Sequence, residues 1–499
     1  VKIFLDILTG LLVAVVLVGA LPLLAASYMF LIVPVHFVRN HYGLCRPWCP
    51  RTAVVIAAWN EENVIGTTVE RFMSLDYPAG SLRVVVVDDA STDGTGQVLA
   101  AKVARYPGRV FCLRRDRGGE GKAAALNHGM DFVLGDDWAE AVLIGDADPI
   151  YEPGTLRALA AHLADPRVGA VTAYIKEGSR PSNYLTRFIA FEYVTGQAAA
   201  RRSQNVLGMI QCLAGGAQLH SRENIETLGG RIDNSTLAED TVTTIETQLR
   251  GHKVVFEPHA IVWAEEPGDL HGLWKQRLRW ARGNIQLTLR YRHMWFRRQP
   301  DSRLGGITFG VLWFSLLLQP LFMLGGSTAL LVLYYFVNSG AAWQAFGVLW
   351  LANAMCYLFT TSFSLLIDPE TGKRTWVEAL LFPGIVNVTV MVSAILTMPM
   401  HAFAVTLVTA AGFTLTKGWV VGAVVFIYCW QAGAMVVARL AMLAEGHPGG
   451  WILSRALLYT CGFGSLMTAI TLTSYVKELT GAESRWDKTE KSGKVVARA

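Results

Sequence analysis

Four groups of chemically capable side chains follow one another along this 499-residue chain: Asp88-Asp89, Asp146-Ala147-Asp148, Glu239-Asp240 and Gln276-Arg277-Leu278-Arg279-Trp280. Carboxylates of the first kind can accept from a nucleobase N–H, and those of the second suit Mg²⁺ or Mn²⁺ together with substrate phosphates. A further carboxylate set apart from them can take the proton of an attacking hydroxyl. Arginine can hold an anionic leaving group bidentately, and tryptophan can stack on the apolar face of a sugar. Such a set fits transfer of a sugar from a nucleotide diphosphate to a hydroxyl.

Each group has a local signal. Val84 to Val87 is an apolar run closed by Asp88-Asp89, and Ser91, Thr92, Asp93 and Gly94 then form a turn that opens a helix. A strand-to-helix capping box would carry similar residues. In Asp146-Ala147-Asp148 the two carboxylates stand at i and i+2, on one side of an extended segment, so both can reach one cation or one ribose. Glu239-Asp240 opens a helical run, where acids also complement the helix dipole; Asp240 is the candidate base. Gln276, Arg279 and Trp280 stand at i, i+3 and i+4 and share a helix face, although a Trp beside Arg also suits a membrane interface. Gly215-Gly216, within Cys212 to Ala217, would let backbone approach an acceptor sugar, or form a tight turn.

Elements that could position these groups alternate from residue 50 to 300. Val54 to Ala57, Val84 to Val87, Val110 to Leu113, Val142 to Ile144 and Val168 to Thr172 are strand candidates separated by helical stretches. Continuously apolar strands imply a parallel sheet covered on both faces, with ligands beyond the strands' carboxyl ends. Asn60-Glu61, Asp88-Asp89 and Asp146-Asp148 all fall there.

The flanks belong to a bilayer. An apolar content of 52% and a mean hydropathy of +0.34 exclude an ordinary soluble enzyme. Residues 8 to 38 form one apolar run, longer than a signal-peptide core, followed by Arg39, His41 and Arg46, which marks the cytoplasmic side. Further runs at 306–336, 341–367, 385–411, 418–440 and 451–473 are each long enough to cross about 30 Å of hydrocarbon. The polar stretch Asp368 to Trp376 reads as cytoplasmic. A cytoplasmic domain and a basic tail with Lys477, Arg485, Lys488, Lys491 and Lys494 require an even number of crossings between them, so one of the five runs is no simple span. Residues 385–411, interrupted at Met398-Pro399-Met400, are the expected exception. Residues 182–206 and 269–296 have the composition of interfacial helices, or of helices packed on the sheet. Seven scattered cysteines argue against a disulfide framework, and Cys45 and Cys49 lack a nearby second pair for zinc.

The ordered series AspAspAlaSer, AspAlaAsp, AlaGluAsp and GlnArgLeuArgTrp, between apolar segments, resembles the processive family 2 glycosyltransferases that make cellulose, chitin, hyaluronan and poly-N-acetylglucosamine. LeuTrpLysGlnArgLeuArgTrpAla and the tail's ArgTrpAspLysThrGlu are most similar to poly-β-1,6-N-acetylglucosamine synthases. The resemblance implies an α/β GT-A (Rossmann-like) cytosolic domain inserted between transmembrane α-helices. It further implies a UDP-sugar donor, Mg²⁺ or Mn²⁺, inversion at the anomeric carbon, and passage of the growing polysaccharide through the bilayer. In donor binding it assigns Asn60, Glu61, Asp88, Asp89, Lys122 and Asp146, with Asp146 and Asp148 at the metal. Asp240, Gln276, Arg279 and Trp280 become catalytic, and Glu239, Gly215, Gly216 and Trp280 acceptor-binding. Trp59 and Ala238 stand where the pattern has Tyr and Thr, which leaves the sugar and linkage open.

The expected domains are a transmembrane segment at 1–40, the glycosyltransferase domain at 50–297, a multi-span channel at 304–475 and a basic cytoplasmic tail at 476–499. The expected location is the cell inner (plasma) membrane, with the catalytic domain cytoplasmic. An accessory membrane or export protein is admitted as a partner; nucleic acid is not. Two other functions fit the same residues: a non-processive transferase acting on a lipid acceptor, and a nucleotide-sensing transporter without catalysis.

Overall fold

The computed structural model describes residues 2–39, 41, 43–397, 417–483 and 493–495. The chain divides into two compact units, one of residues 1–31, 269–281 and 310–481, the other of 32–268, 282–309 and 482–499.

The second unit is built on eight strands: β1 (Thr52–Ala58), β2 (Leu82–Asp88), β3 (Val110–Arg114), β4 (Ala141–Gly145), β5 (Ile150–Tyr151), β6 (Val168–Glu177), β7 (Ala217–Ser221) and β8 (Lys253–Ala264). Their order across the sheet is β3-β2-β1-β4-β7-β6-β8-β5. All five expected strands are present. The sheet is nevertheless mixed, a correction to the parallel one expected. β1 pairs in parallel with β2 and β4, but β7 runs antiparallel to both β4 and β6, and β5 antiparallel to β8.

That reversal positions the site. In the β4–β7 pairing Gly145 stands opposite Ala217, so the residue leaving β4, Asp146, meets the residue entering β7, Gly216. The helix Lys122–Leu134 covers β1 and β2, burying Leu126, Met130 and Val133 against Val55, Val85 and Val142. Gly129 lets it lie close, since a Cβ there would stand 2.5 Å from the Val55 side chain. The first residue of this helix is Lys122, delivered to the carboxyl end of the strands. The stretch expected at 182–206 runs as the helices Tyr184–Tyr193 and Ala200–Leu207 joined by a π-helical turn, and buries Leu185, Phe188 and Ile189.

Three helices among the described residues are long and apolar enough to cross a membrane: Lys2–Val38, Gln319–Val337 and Ser339–Ile367. Counting each bent pair as one span raises the number to five. The first pair, Pro369–Leu380 with Ile385–Val392, bends by 83°, and the second, Trp451–Cys461 with Phe463–Leu479, by 94°. Asp368 to Trp376 therefore begins a helix, capped by the Asp368 carboxylate on the Thr371 amide at 3.2 Å. The break expected at Met398-Pro399-Met400 lies outside the described residues. Among the described residues the bends fall at Gly384 and Gly462, with φ of +87° and +89°, and the two meet: the Phe463 amide donates to the Phe382 carbonyl at 2.9 Å.

Candidate active site

The first two acids sit where the parallel strands end. Asp88, the last residue of β2, is opposite Arg114 of β3. Its Oδ2 accepts from Arg114 Nη1 at 2.5 Å and its Oδ1 from the Ser91 amide at 2.9 Å, and it is fully buried. Asp89 pairs with Arg115, which also holds Glu120, and accepts from the Gly119 amide at 3.4 Å. The sequence reading missed both arginines. Their signal is positional: Arg114-Arg115 ends the strand paired with the one that ends in Asp88-Asp89.

Asn60 ties the neighbouring turn to this one. At φ +54° its amide donates to Ser91 Oγ at 3.0 Å, and its Oδ1 accepts from the Thr92 amide at 2.8 Å. The Glu61 amide donates to Thr95 Oγ1 at 2.8 Å. The expected donor residues on these two loops thus form one hydrogen-bonded rim, in which Asp88 is a scaffold carboxylate rather than an open one.

A second cluster gathers the remaining acids of this unit. Lys122 Nζ lies 2.5 Å from Asp146 Oδ1, 3.8 Å from Glu239 Oε1 and 3.2 Å from the Gly215 carbonyl. Burial opposes its charge, but Asp146, Glu239 and Asp240 outweigh that and carry its pKa above the ordinary lysine value. Gly215 and Gly216 are required by contact rather than by turn geometry. A Cβ on Gly216 would stand 2.7 Å from Asp146 Oδ2, and one on Gly215 would stand 3.1 Å from Asp240 Oδ2 and 3.6 Å from Lys122 Nζ. Asp146, Asp240, Lys122 and the glycine pair therefore converge on one spot.

Asp240 lies in the first turn of the helix Glu239–Leu249, half exposed, with Oδ1 accepting from the Thr241 amide at 2.7 Å. The segment before it is clamped from the end of another helix: a Cβ on Gly283 would approach that of Ala238 to 2.7 Å, and Leu237 N donates to Gln286 Oε1 at 3.0 Å. Tyr151, unread in the sequence, is buried, donates to the Gly216 carbonyl, and has its pKa pushed well up by burial and by Asp146 and Asp148. No spacing rule marks it, because β5 is two residues long.

The oxygen donors of Asp146 and Asp148 fit a divalent cation in part. Both are half exposed on one loop flanking Tyr151, which suits an ion held by one or two carboxylates and completed by substrate phosphate. No group of three His, Cys, Asp or Glu side chains able to cage an ion occurs among the described residues. Gln276, Arg279 and Trp280 lie on the helix Leu270–Arg290, in the first unit, where the Arg277 guanidinium covers the Trp280 ring at 4.2 Å.

Residues 50–283 match the family described as "Glycosyltransferase like family 2". A curated relative from Bacillus subtilis (strain 168), "Probable glycosyltransferase YdaM", is 34% identical over 50% of this chain and 58% of its own length. The "Beta-monoglucosyldiacylglycerol synthase" of Synechocystis sp. is 33% identical over 50% of this chain and 51% of its own. A "Poly-beta-1,6-N-acetyl-D-glucosamine synthase" of Staphylococcus aureus is 29% identical over 47% of this chain and 55% of its own. The chain thus spans only a little over half the length of these relatives. Among solved structures, a mannosyltransferase from Pyrobaculum calidifontis has a TM-score of 0.54 at 21% identity, covering 77% of this chain and 98% of that one, a likeness of fold.

Proposed function

We propose, from the match of residues 50–283 to glycosyltransferase family 2 and from a mixed sheet with the likeness of a sugar-transferase fold, that this protein is a membrane-embedded, inverting transferase of GT-A type that polymerises a β-linked polysaccharide from a UDP-sugar and passes it across the bilayer. UDP-N-acetylglucosamine is the favoured donor. The observation that carries the transferase reading is the convergence of Asp240, Asp146 and Lys122 on the Gly215-Gly216 backbone. Asp240, half exposed and held at Oδ1 by the Thr241 amide, is the base in this reading, beside an acid–lysine pair suited to a diphosphate.

In this reading the acceptor hydroxyl attacks the anomeric carbon while the bond to the diphosphate breaks. The hydroxyl proton passes to Asp240, and the bonding pair leaves with the nucleotide. Lys122 lies close enough to the acids to place positive charge by the departing phosphate. Asn60, Glu61 and Asp89 border the nucleoside end, and Glu239, Gly215 and Gly216 the acceptor. The family pattern that the motif resembles would give Gln276, Arg279 and Trp280 the diphosphate and the acceptor sugar. A divalent cation on Asp146 and Asp148 would supply charge neutralisation of the leaving diphosphate.

The placement proposed with it is a transmembrane segment at 1–40, a cytoplasmic catalytic domain at 50–297 and spans within 304–475, in the plasma membrane. The apolar helices support membrane association. Polymerisation is supported by the poly-N-acetylglucosamine synthase relative. A second reading, transfer of one sugar to a lipid, is supported by the diacylglycerol-glucosylating relative at 33% identity.

The deciding experiment is donor turnover by purified, detergent-solubilised protein with Mg²⁺ or Mn²⁺, comparing UDP-N-acetylglucosamine, UDP-glucose and UDP-glucuronate and sizing the product. High-mass glycan from one donor is expected. A single short lipid-linked product would establish the second reading, and nucleotide release from no donor would refute UDP-sugar transfer by this chain alone.

A further inference from the structure

The second unit holds a cavity of about 490 Å³ bordered by Val168 and Lys253. These residues begin β6 and β8, and β6 runs in the same direction as β4, since both are antiparallel to β7. The cavity therefore opens at the sheet end opposite Asp146 and Asp240. Nothing in the transfer chemistry uses it.

Its walls are basic, and the basic residues come from particular places in the chain. Arg39 follows directly on the apolar helix Leu21–Val38, and Arg303 stands four residues before the apolar helix Ile307–Leu317. Chain connectivity thus puts one wall of the cavity within a few residues of two apolar segments. Arg167, Lys253 and His162 complete the cationic lining, and Asp165 and Asp301 are the carboxylates facing them; His162 is matched by Glu257, at 2.7 Å. Arg167 is matched by Asp165, at 2.9 Å.

None of the other three cations is ion-paired among the described residues, although the Lys253 charge also acts on Asp165. Arg39 Nη1 donates to the Val206 carbonyl at 3.0 Å and Arg303 Nη1 to the Leu207 carbonyl at 2.9 Å, closing the end of the helix Ala200–Leu207. Helix capping accounts for one N–H of each guanidinium. It leaves the rest of both forks without a carboxylate in ion-pair range among the described residues, and Lys253 likewise. Two guanidinium forks and an ammonium around one void form a receptor for a phosphate group.

We propose that this cavity binds a phosphate-bearing ligand, and that the phosphate is the headgroup of an anionic phospholipid, because two of its basic residues, Arg39 and Arg303, lie within four residues of apolar helices along the chain. Basic residues next to a membrane segment are drawn to anionic lipid, each contributing about a fivefold gain in affinity. The inference rests on membrane association and is independent of the sugar or the product.

The test uses the full chain in neutral detergent and reads the thermal midpoint and bound lipid by native mass spectrometry. The probes are dioleoylphosphatidylglycerol, dioleoylphosphatidylcholine and inorganic phosphate. Phosphatidylglycerol should stay bound and raise the midpoint where phosphatidylcholine does not. The double variant Arg39→Ala with Arg303→Ala should weaken that effect about 25-fold. Lys253→Glu, on an exposed side chain with no hydrogen bond among the described residues, should weaken it without disturbing the fold. Protection by inorganic phosphate as strong as by lipid, and lost in the same variants, would keep the phosphate site but make free phosphate its ligand. Equal retention of both lipids, or variants that respond like the parent protein, would overturn the proposal.

Discussion

Replacing Gly216 by alanine tests the packing on which the candidate site depends. The new Cβ would stand 2.7 Å from Asp146 Oδ2 and 3.2 Å from its Cγ, whereas carbon contacts settle near about 3.5 Å or more. Asp146 would have to withdraw by roughly 0.8 Å. It has little freedom to do so, because Oδ1 is held by Lys122 at 2.5 Å, and Gly216 is itself held through its carbonyl by Tyr151. Overpacking of this kind costs about 1–3 kcal/mol, and a displacement approaching 1 Å at a reacting group costs about 100-fold in rate. Gly215→Ala is the internal control. Its Cβ would lie 3.1 Å from Asp240 Oδ2, so the neighbour need yield only a little, and a loss of about tenfold or less is expected. The assays are nucleotide release at saturating donor and the thermal midpoint in the same detergent. A Gly216→Ala protein within twofold of the parent in kcat and unchanged in midpoint would refute the close approach, as would Gly215→Ala proving the more damaging of the two.

Asp240→Asn should keep donor binding and lower kcat by about 10²–10⁴-fold, checked by calorimetric donor titration beside turnover. Arg115→Ala should strip Asp89, whose side chain is only 10% exposed, of its counter-charge, lowering stability by about 3–5 kcal/mol and raising donor KM more than it changes kcat. Arg115→Lys should recover much of the stability. His162 is predicted to make stability depend on pH: burial opposes its charge, but hydrogen bonds to Cys45 and Glu257 lift its pKa to about 9, while Glu257, although buried, is drawn down to about 2 mainly by His162 and His259. The histidine's contribution is therefore complete below about 6.5 and fades as pH rises to about 9, and the glutamate's is complete above 4.5 and fades as pH falls towards about 2. The parent midpoint should fall between pH 6.5 and 9, and that of His162→Gln should be flatter across the same window; parallel curves would remove the pair as the cause.

Much of this was legible in the residues. Val84 to Val87 ending in Asp88-Asp89, and Val142 to Ile144 ending before Asp146, are apolar runs long enough only for buried strands, and a terminal acid after such a run has to face outward from the sheet edge. Gly215-Gly216 was legible as a place of close approach, though not what approached. The antiparallel β7 was not legible. AlaGlnLeuHisSer alternates weakly, and its direction follows from which neighbours it pairs with, a tertiary choice. Tyr151 and Gly283 were hidden for the same reason: each acts through a residue far away in sequence. The burial of Asp88 was not legible, because a buried carboxylate and a ligand-facing one look alike until Arg114 is seen opposite. In the unit of apolar helices the apolar runs located the described helices, but hydropathy averages over a bend, so the corner at Gly462 passed as a continuous run.

The meeting of Gly384 and Gly462 has a consequence for how this chain can vary. A Cβ on Gly384 would reach 2.5 Å from the Cys461 carbonyl carbon, and one on Gly462 would reach 2.5 Å from the Gly384 nitrogen. Each position is blocked by the other's backbone, and each adopts a φ that side chains resist. Once either is exchanged the two corners must separate, so exchanging the second adds little further harm. In descent the two positions should behave as one inherited unit, kept together or lost together, although 77 residues of chain lie between them.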